Sequence, residues 1–396
     1  MTRRRTVVCG LASLLSAGCL RLQDTTEEAG PAREPSTTGE PSSVKAESTT
    51  SVKTESTTTD VTPKVKEVWE ESRYGQAGVA DGTDLVTTRR VGVQVAAVSD
   101  GSRKWNQSVP GDIEAACLPV VTDEFVYVAG QERGASTSTV KKFRRDGGAL
   151  AAQATVEHSE NFHGEPQLVD DLLVVGADPG HGSDQDTLFA FDAETLDLVW
   201  SGQPVNDQFV GAVVVDDTLF AGFHGYVGAF SLPDFERVWE QDRSGATGPP
   251  VAHEGTVYLP ADTEVQAIDA ASRETSWRTP INERTRHAQA VGDTLLVGGR
   301  SNLYALDTGT GSVRWRGHIA SATDDSSTAA GPEGVAVQPA AGVVWGTSGA
   351  TVTGIDIETG AVFGTIEFPE RARWVTAVGK RLAAGTAERT AGYVVE

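Results

Sequence analysis

Apolar and polar positions follow one another in short runs, with no long stretch of helical period. From Glu67 onward the same order recurs about every forty residues: an apolar run, a tight turn, a second apolar run, a small residue with an acidic turn, and a tryptophan. The unit is clearest in Val291-Gly292-Asp293-Thr294-Leu295-Leu296-Val297-Gly298-Gly299, followed by Asn302-Leu303-Tyr304-Ala305-Leu306-Asp307. Runs of this length bounded by Gly, Asp and Asn predict β-strands and hairpins.

Four copies keep a fixed spacing: Asp192 to Trp200, Ser231 to Trp239, Asp269 to Trp277 and Asp307 to Trp315. Weaker copies run from Ser99 to Trp105, from Arg144 to Ala152 and from Asp356 to Gly364, the last two having lost the tryptophan. With Trp69 as the first slot, successive slots are 36, 47, 48, 39, 38, 38 and 49 residues apart. That is the size of one four-stranded propeller blade.

The turn has a mechanism. Asp307 accepts hydrogen bonds from amides of the bend, Gly309 and Gly311 supply positive φ, and the indole of Trp315 docks between neighbouring blades. Val65 to Ser72 carries a lone final-strand tryptophan, whereas Trp374 to Glu396 supplies earlier strands with none after them. The two ends together complete one blade, which removes free sheet edges. The expected fold is therefore all-β, an eight-bladed β-propeller over residues 65–396 with a closing blade shared by the termini; seven blades is the alternative count.

The preceding residues are of another kind. Arg3-Arg4-Arg5, then Thr6-Val7-Val8 and an apolar stretch to Leu15, read as an export signal over residues 1–18, too short for a membrane span. The arginines resemble a twin-arginine (Tat) signal. Leu15-Ser16-Ala17-Gly18-Cys19 resembles a lipoprotein cleavage box, which would make Cys19 the lipidated N-terminus; a plain signal peptide is the alternative. Residues 19–64 are rich in Ser, Thr, Glu and Pro, cannot bury a core and read as a disordered linker. The expected location is the outer face of the cell membrane.

Composition narrows the partners. The formal net charge is −22, and 25 of the 33 basic residues are arginine, a balance that suggests a halophilic, archaeal source. Such a surface repels nucleic acid and anionic bilayers. Cys117 is the one thiol beyond the targeting region, reads as a small buried apolar residue, and leaves no intradomain disulfide to form. Asn106-Gln107-Ser108 is an N-glycosylation sequon.

The phrase from Ala305 to Trp315 resembles the tryptophan-docking repeats of pyrroloquinoline quinone (PQQ) type propellers, and the resemblance covers residues 67–396. That superfamily holds both quinoprotein alcohol dehydrogenases and a non-enzymatic lipoprotein of the bacterial outer-membrane barrel-assembly machine, so the fold leaves activity open. The resemblance to the dehydrogenases implies PQQ, a calcium ion, an aspartate base and a vicinal disulfide, but the sequence has no adjacent cysteines. The expectation is a non-catalytic binding or scaffolding module, monomeric, with neither cofactor nor metal; a PQQ-dependent oxidoreductase and a glycan-active or sensory propeller are the alternatives.

Candidate contacts lie in the connections from an outer strand to the next inner strand. Asn282 to His287 contributes Arg284, Arg286 and His287, and Pro369 to Trp374 contributes Arg371, Arg373 and Trp374. These arginines would meet a protein partner or a small anionic ligand; ordinary ion pairs with Glu283, Glu370 or acids of a neighbouring blade are the plainer alternative. Phe162, His163 and Phe209 place aromatics beside polar groups in matching loops. The acidic stretch Asp178 to Asp186 lacks the ligand order of a calcium loop.

Overall fold

The computed structural model describes residues 65–395 apart from 72–76, 90–91, 109–117, 132–136, 158–161, 178–185, 204–207, 244–247, 286, 300–301, 320–334, 339–340 and 387. The signal segment, Cys19, the linker, Cys117 and Arg286 lie outside the described residues.

Among the described residues, thirty-two strands form eight four-stranded antiparallel sheets. Blades 1 to 7 take residues 77–108, 120–157, 162–202, 209–242, 251–280, 287–318 and 335–367 in chain order. Blade 8 combines Trp374–Val378, Arg381–Gly385 and Thr390–Val395 with Val65–Glu71 as its outermost strand. The arrangement is an eight-bladed β-propeller with the last blade shared by the termini.

The second and third strands of each sheet are buried almost throughout, because both of their faces meet a neighbouring blade. Side chains from adjacent blades merge into shared clusters: Val174, Leu188 and Ala190 of blade 3 pack with Phe209, Phe223 and Phe230 of blade 4. Outer strands alternate between half-buried and exposed, as a strand covered on one face should.

The hairpins between the first and second strands turn through left-handed residues, among them Gly82, Asp170, Asp216, Glu254, Gly292 and Gly379. Positive φ matches the twist of the flanking strands. Turns between the third and fourth strands lie at the same end of the molecule. Arg145, in that turn of blade 2, donates to Asp84 Oδ2 at 2.8 Å and to the Thr122 carbonyl at 2.9 Å, both in first-hairpin turns.

The repeat tryptophans join the blades that carry them to the next. Trp69, Trp105, Trp277 and Trp315 donate from Nε1 to the carbonyls of Val98, Arg145, Thr308 and Ile357, at 3.0, 2.7, 3.0 and 2.6 Å. Each acceptor is the first residue after the third strand of the following blade. The turn leaves no room beneath the ring: a Cβ on Gly311 would lie 2.5 Å from the Trp277 indole, and its φ is +72°. Gly311 is therefore required twice over, by backbone and by space. Gly309 does not take positive φ as expected; its amide donates instead to Asp307 Oδ1 at 3.1 Å.

The degraded copies are compensated in three dimensions. Leu196, Phe235 and Arg273 hold the left-handed turn position that glycine holds elsewhere. Phe235 stacks on Trp200 with ring centres 4.5 Å apart, and Trp239 packs among Ala270, Ile268 and Val257. Leu196, 2 % exposed, fills the space above Ala152, where blade 2 has no tryptophan. Gly364 in blade 7 faces blade 8, whose third and fourth strands are separate chain ends with no turn to receive an indole.

Ring closure draws on every layer of the seam. Val65–Glu71 pairs with Thr390–Val395, Ala80 N donates to Thr376 Oγ1 at 3.0 Å, and Arg381 Nη1 donates to the Ser99 carbonyl at 3.0 Å. Arg389 Nη2 donates to Glu67 Oε2 at 2.7 Å and sits over the Phe368 ring.

Candidate functional site

Antiparallel sheets place their connections at two ends. The turn end carries tight hairpins and is dominated by acids such as Asp123, Glu124, Asp170, Asp171, Asp216 and Asp217. The opposite, loop end carries the longer blade-to-blade connections and the candidate arginines.

Two of these connections repeat one device. Glu283 Oε1 accepts from Asn302 Nδ2 at 2.6 Å and from the Tyr304 hydroxyl, and Glu370 Oε1 accepts from the Thr386 hydroxyl and, at 3.0 Å, from Glu388 N. In each case a glutamate of the loop is held by the blade that follows, by its third strand in blade 6 and by its second-to-third strand connection in blade 8. Burial, then the Glu283 carboxylate, pushes the Tyr304 phenol up to about 12, so it stays protonated and remains a donor.

The chain then alternates. Thr285 is buried and donates to the Ala261 carbonyl, and Ala372 is 1 % exposed. Arg284, Arg371 and Arg373, on the opposite parity, are exposed. Arg284 Nε donates to Asp262 Oδ1 at 2.7 Å, an acid of the neighbouring blade, which is the ordinary ion pair the sequence allowed. The two arginine loops belong to blades 6 and 8, with blade 7 between them.

Phe162, Phe209 and Trp374 are 1, 0 and 1 % exposed and offer no aromatic surface to a partner. Phe162 meets Phe189 edge-on at 5.7 Å, Phe209 meets Phe223 likewise, and the Trp374 ring covers Gly78 and Gly385. The cause is their shared place as the first residue of the innermost strand in blades 3, 4 and 8, where both faces are packed. His287 holds that place in blade 6 and is 6 % exposed. Residue 163 pairs through its backbone with Gly176. Aligning the repeats by eye would have put positions 162, 209, 287 and 374 in one column, a structural signal that reading each loop alone missed.

One loop-end cation escaped the sequence reading. The Arg243 side chain is 2 % exposed, donates to Gln266 Oε1 and lies 3.3 Å from Glu264 Oε1. Burial holds its pKa below the ordinary value, against the pull of Glu264. It braces blades 4 and 5 and presents no charge to solvent.

Comparison with known proteins bears on the repeat. A family model described as outer membrane protein assembly factor BamB, of the PQQ repeat type, matches residues 223–388. The chain is a β-propeller in which residues 223–388 match PQQ-like repeats. The propeller is 25 % identical over 181 residues to outer membrane protein assembly factor BamB of Legionella pneumophila, covering 42 % of this chain and 46 % of that one. It is 31 % identical over 103 residues to the serine/threonine-protein kinase AfsK of Streptomyces griseus, covering 23 % of this chain and 13 % of the kinase. It thus spans less than half the length of these curated relatives.

Solved structures agree on the fold. The crystal structure of BamB from Moraxella catarrhalis superposes with a TM-score of 0.63 at 15 % identity, over 84 % of this chain and 98 % of that one. The computationally designed Ika8 protein gives 0.68 at 13 % identity, over 83 % and 99 %.

The sequence has no adjacent cysteines, and among the described residues no group of three or more His, Cys, Asp or Glu side chains converges as metal ligands would. The acidic stretch Asp178 to Asp186 lies outside the described residues up to position 185.

Proposed function

We propose that the chain is a membrane-anchored, extracytoplasmic and non-catalytic binding or scaffolding module, tethered through Cys19 and working through its loop end. The supporting observation is the repeated device of blades 6 and 8. In both, a glutamate is engaged within the head while arginines at 284, 371 and 373 stand exposed. Planar guanidinium groups on an otherwise acidic protein suit carboxylate or phosphate groups on a partner. The likeness to assembly factors supports a protein partner and an extracytoplasmic place, and the anionic surface disfavours nucleic acid.

The test pairs Arg284→Glu with Arg373→Glu in the full chain and measures partner recovery from detergent-solubilised membranes. At least a tenfold loss, steeper at low salt, is expected; undiminished recovery would remove the loop end as the working face. Separately, Cys19→Ser should release the chain from the membrane fraction, and retention there would remove the lipid anchor.

A further inference from the structure

The sequon at Asn106 has no role in the reading above, yet its setting in the fold is specific. Of the five asparagines only Asn106 is followed two residues later by Ser or Thr. It lies in Arg103–Ser108, the outermost strand of blade 1, which has a partner strand on one side only. Trp105 turns its ring toward blade 2, where it bonds to Arg145, so Asn106 points to the other face of the sheet. There it stands opposite Gln94, whose Nε2 donates to Glu71 Oε2 at 3.0 Å across the seam to blade 8.

Asn106 is exposed, and its side-chain amide makes no hydrogen bond among the described residues. Asn302, by contrast, is 5 % exposed and committed to Glu283. An acceptor asparagine needs a free, solvent-facing amide with room for a bulky substituent. The outer edge of blade 1 supplies both.

We infer that Asn106 is an N-glycosylation site whose glycan lies over the outer edge of blade 1, beside the seam that closes the ring. In the transfer, Asn106 Nδ2 forms a bond to the anomeric carbon of a lipid-phosphate-linked glycan. The bond from that carbon to the phosphate oxygen breaks, its electron pair leaves with the lipid phosphate, and the amide gives up one proton. The glycan shields an unpaired strand edge and the one junction that rests on the meeting of chain ends. This rests on the export reading, because the donor is met outside the cytoplasm.

The experiment takes the full chain from membranes of its native host and reads the mass of the tryptic peptide 105–133. A mass increase of at least one sugar residue is expected, lost in Asn106→Gln and kept in Ser108→Thr. An increase that survives Asn106→Gln, or none at all, overturns the site. The mass of the Cys19 peptide separates the two readings: lipid on Cys19 with bare Asn106 removes the glycan alone, whereas neither modification removes the lipid anchor as well.

Discussion

Lys142 Nζ donates to the Ala193 carbonyl at 2.9 Å, and that carbonyl is the blade 3 counterpart of those that accept from tryptophan elsewhere in the ring. Lys142 pairs with Ala152, the slot that lacks an indole, and bonds also to the Glu194 carbonyl at 3.0 Å. Tyr127 donates to the same Ala193 oxygen at 3.0 Å, and the ammonium rests 3.9 Å from the Phe125 ring centre. A lysine has taken over the polar half of the tryptophan's work and Leu196 the apolar half. Lys142→Met keeps the packing and leaves those carbonyls short of a donor, so it should lower stability by about 1–3 kcal/mol. Urea unfolding of the head domain measures it; an unchanged midpoint would make the contact incidental.

Because Leu196 and Ala152 share one space, replacing either alone is expected to fail. Ala152→Trp drives an indole into Leu196, an overpacking cost of about 1–3 kcal/mol. Leu196→Gly relieves a left-handed leucine but opens a cavity. The double variant recreates at positions 152 and 196 the pairing that Trp277 makes with Gly311, so its destabilisation should fall short of the sum by about 1 kcal/mol or more. Strict additivity in a double-mutant cycle would mean that the two positions do not share a slot.

The blade count and the termini-shared blade were legible because Asp192, Asp269, Asp307 and Trp200, Trp239, Trp277, Trp315 keep one spacing, and a recurrent turn chemistry fixes a recurrent geometry. Compensation at Ala152 was not legible: Lys142 and Leu196 lie on different blades, and only the fold brings them together. At the site, exposed arginines could be read from their alternation with Thr285 and Ala372. The burial of Phe162, Phe209 and Trp374 could not be read from single loops, since an aromatic at a strand start looks alike whether it faces solvent or the next blade.

Acid should loosen the turns before the core. The Arg314 guanidinium first, and the Thr310 hydroxyl and amide next, hold the Asp307 carboxyl at about 2, against an ordinary 3.8. A depressed carboxylate contributes stability that is complete above the unfolded value and is lost as pH falls through the folded one. Between pH 3.8 and about 2 the blade 6 turn therefore loses its support, and Asp192, whose carboxyl is lowered by Thr195, adds to the loss. Asp307→Asn should flatten the decline of thermal midpoint over that window; a decline as steep as in the parent would place the acid sensitivity elsewhere.

The seam should be the most fragile junction. Trp69 links the two sides of the seam: its indole bonds to Val98 in blade 1, while its strand is held in blade 8 by backbone pairing with Thr390–Val395 and by the ion pairs of Arg389 with Glu67 and Glu70. A Cβ on Gly101 would lie 2.7 Å from the ring, so the indole is fitted to that turn as Trp277 is fitted to Gly311. Truncating a packed tryptophan costs about 3–5 kcal/mol, and half-burial puts Trp69 at the lower end. The comparison with Trp277→Ala is decisive, because there both flanking strands are tied by turns. Trp69→Ala should free Val65–Glu71 from its sheet, with fast amide exchange confined to that strand and to Thr390–Val395, whereas Trp277→Ala lowers stability without local fraying. Equal exchange patterns in the two variants would show that the termini-shared blade is closed as firmly as any other.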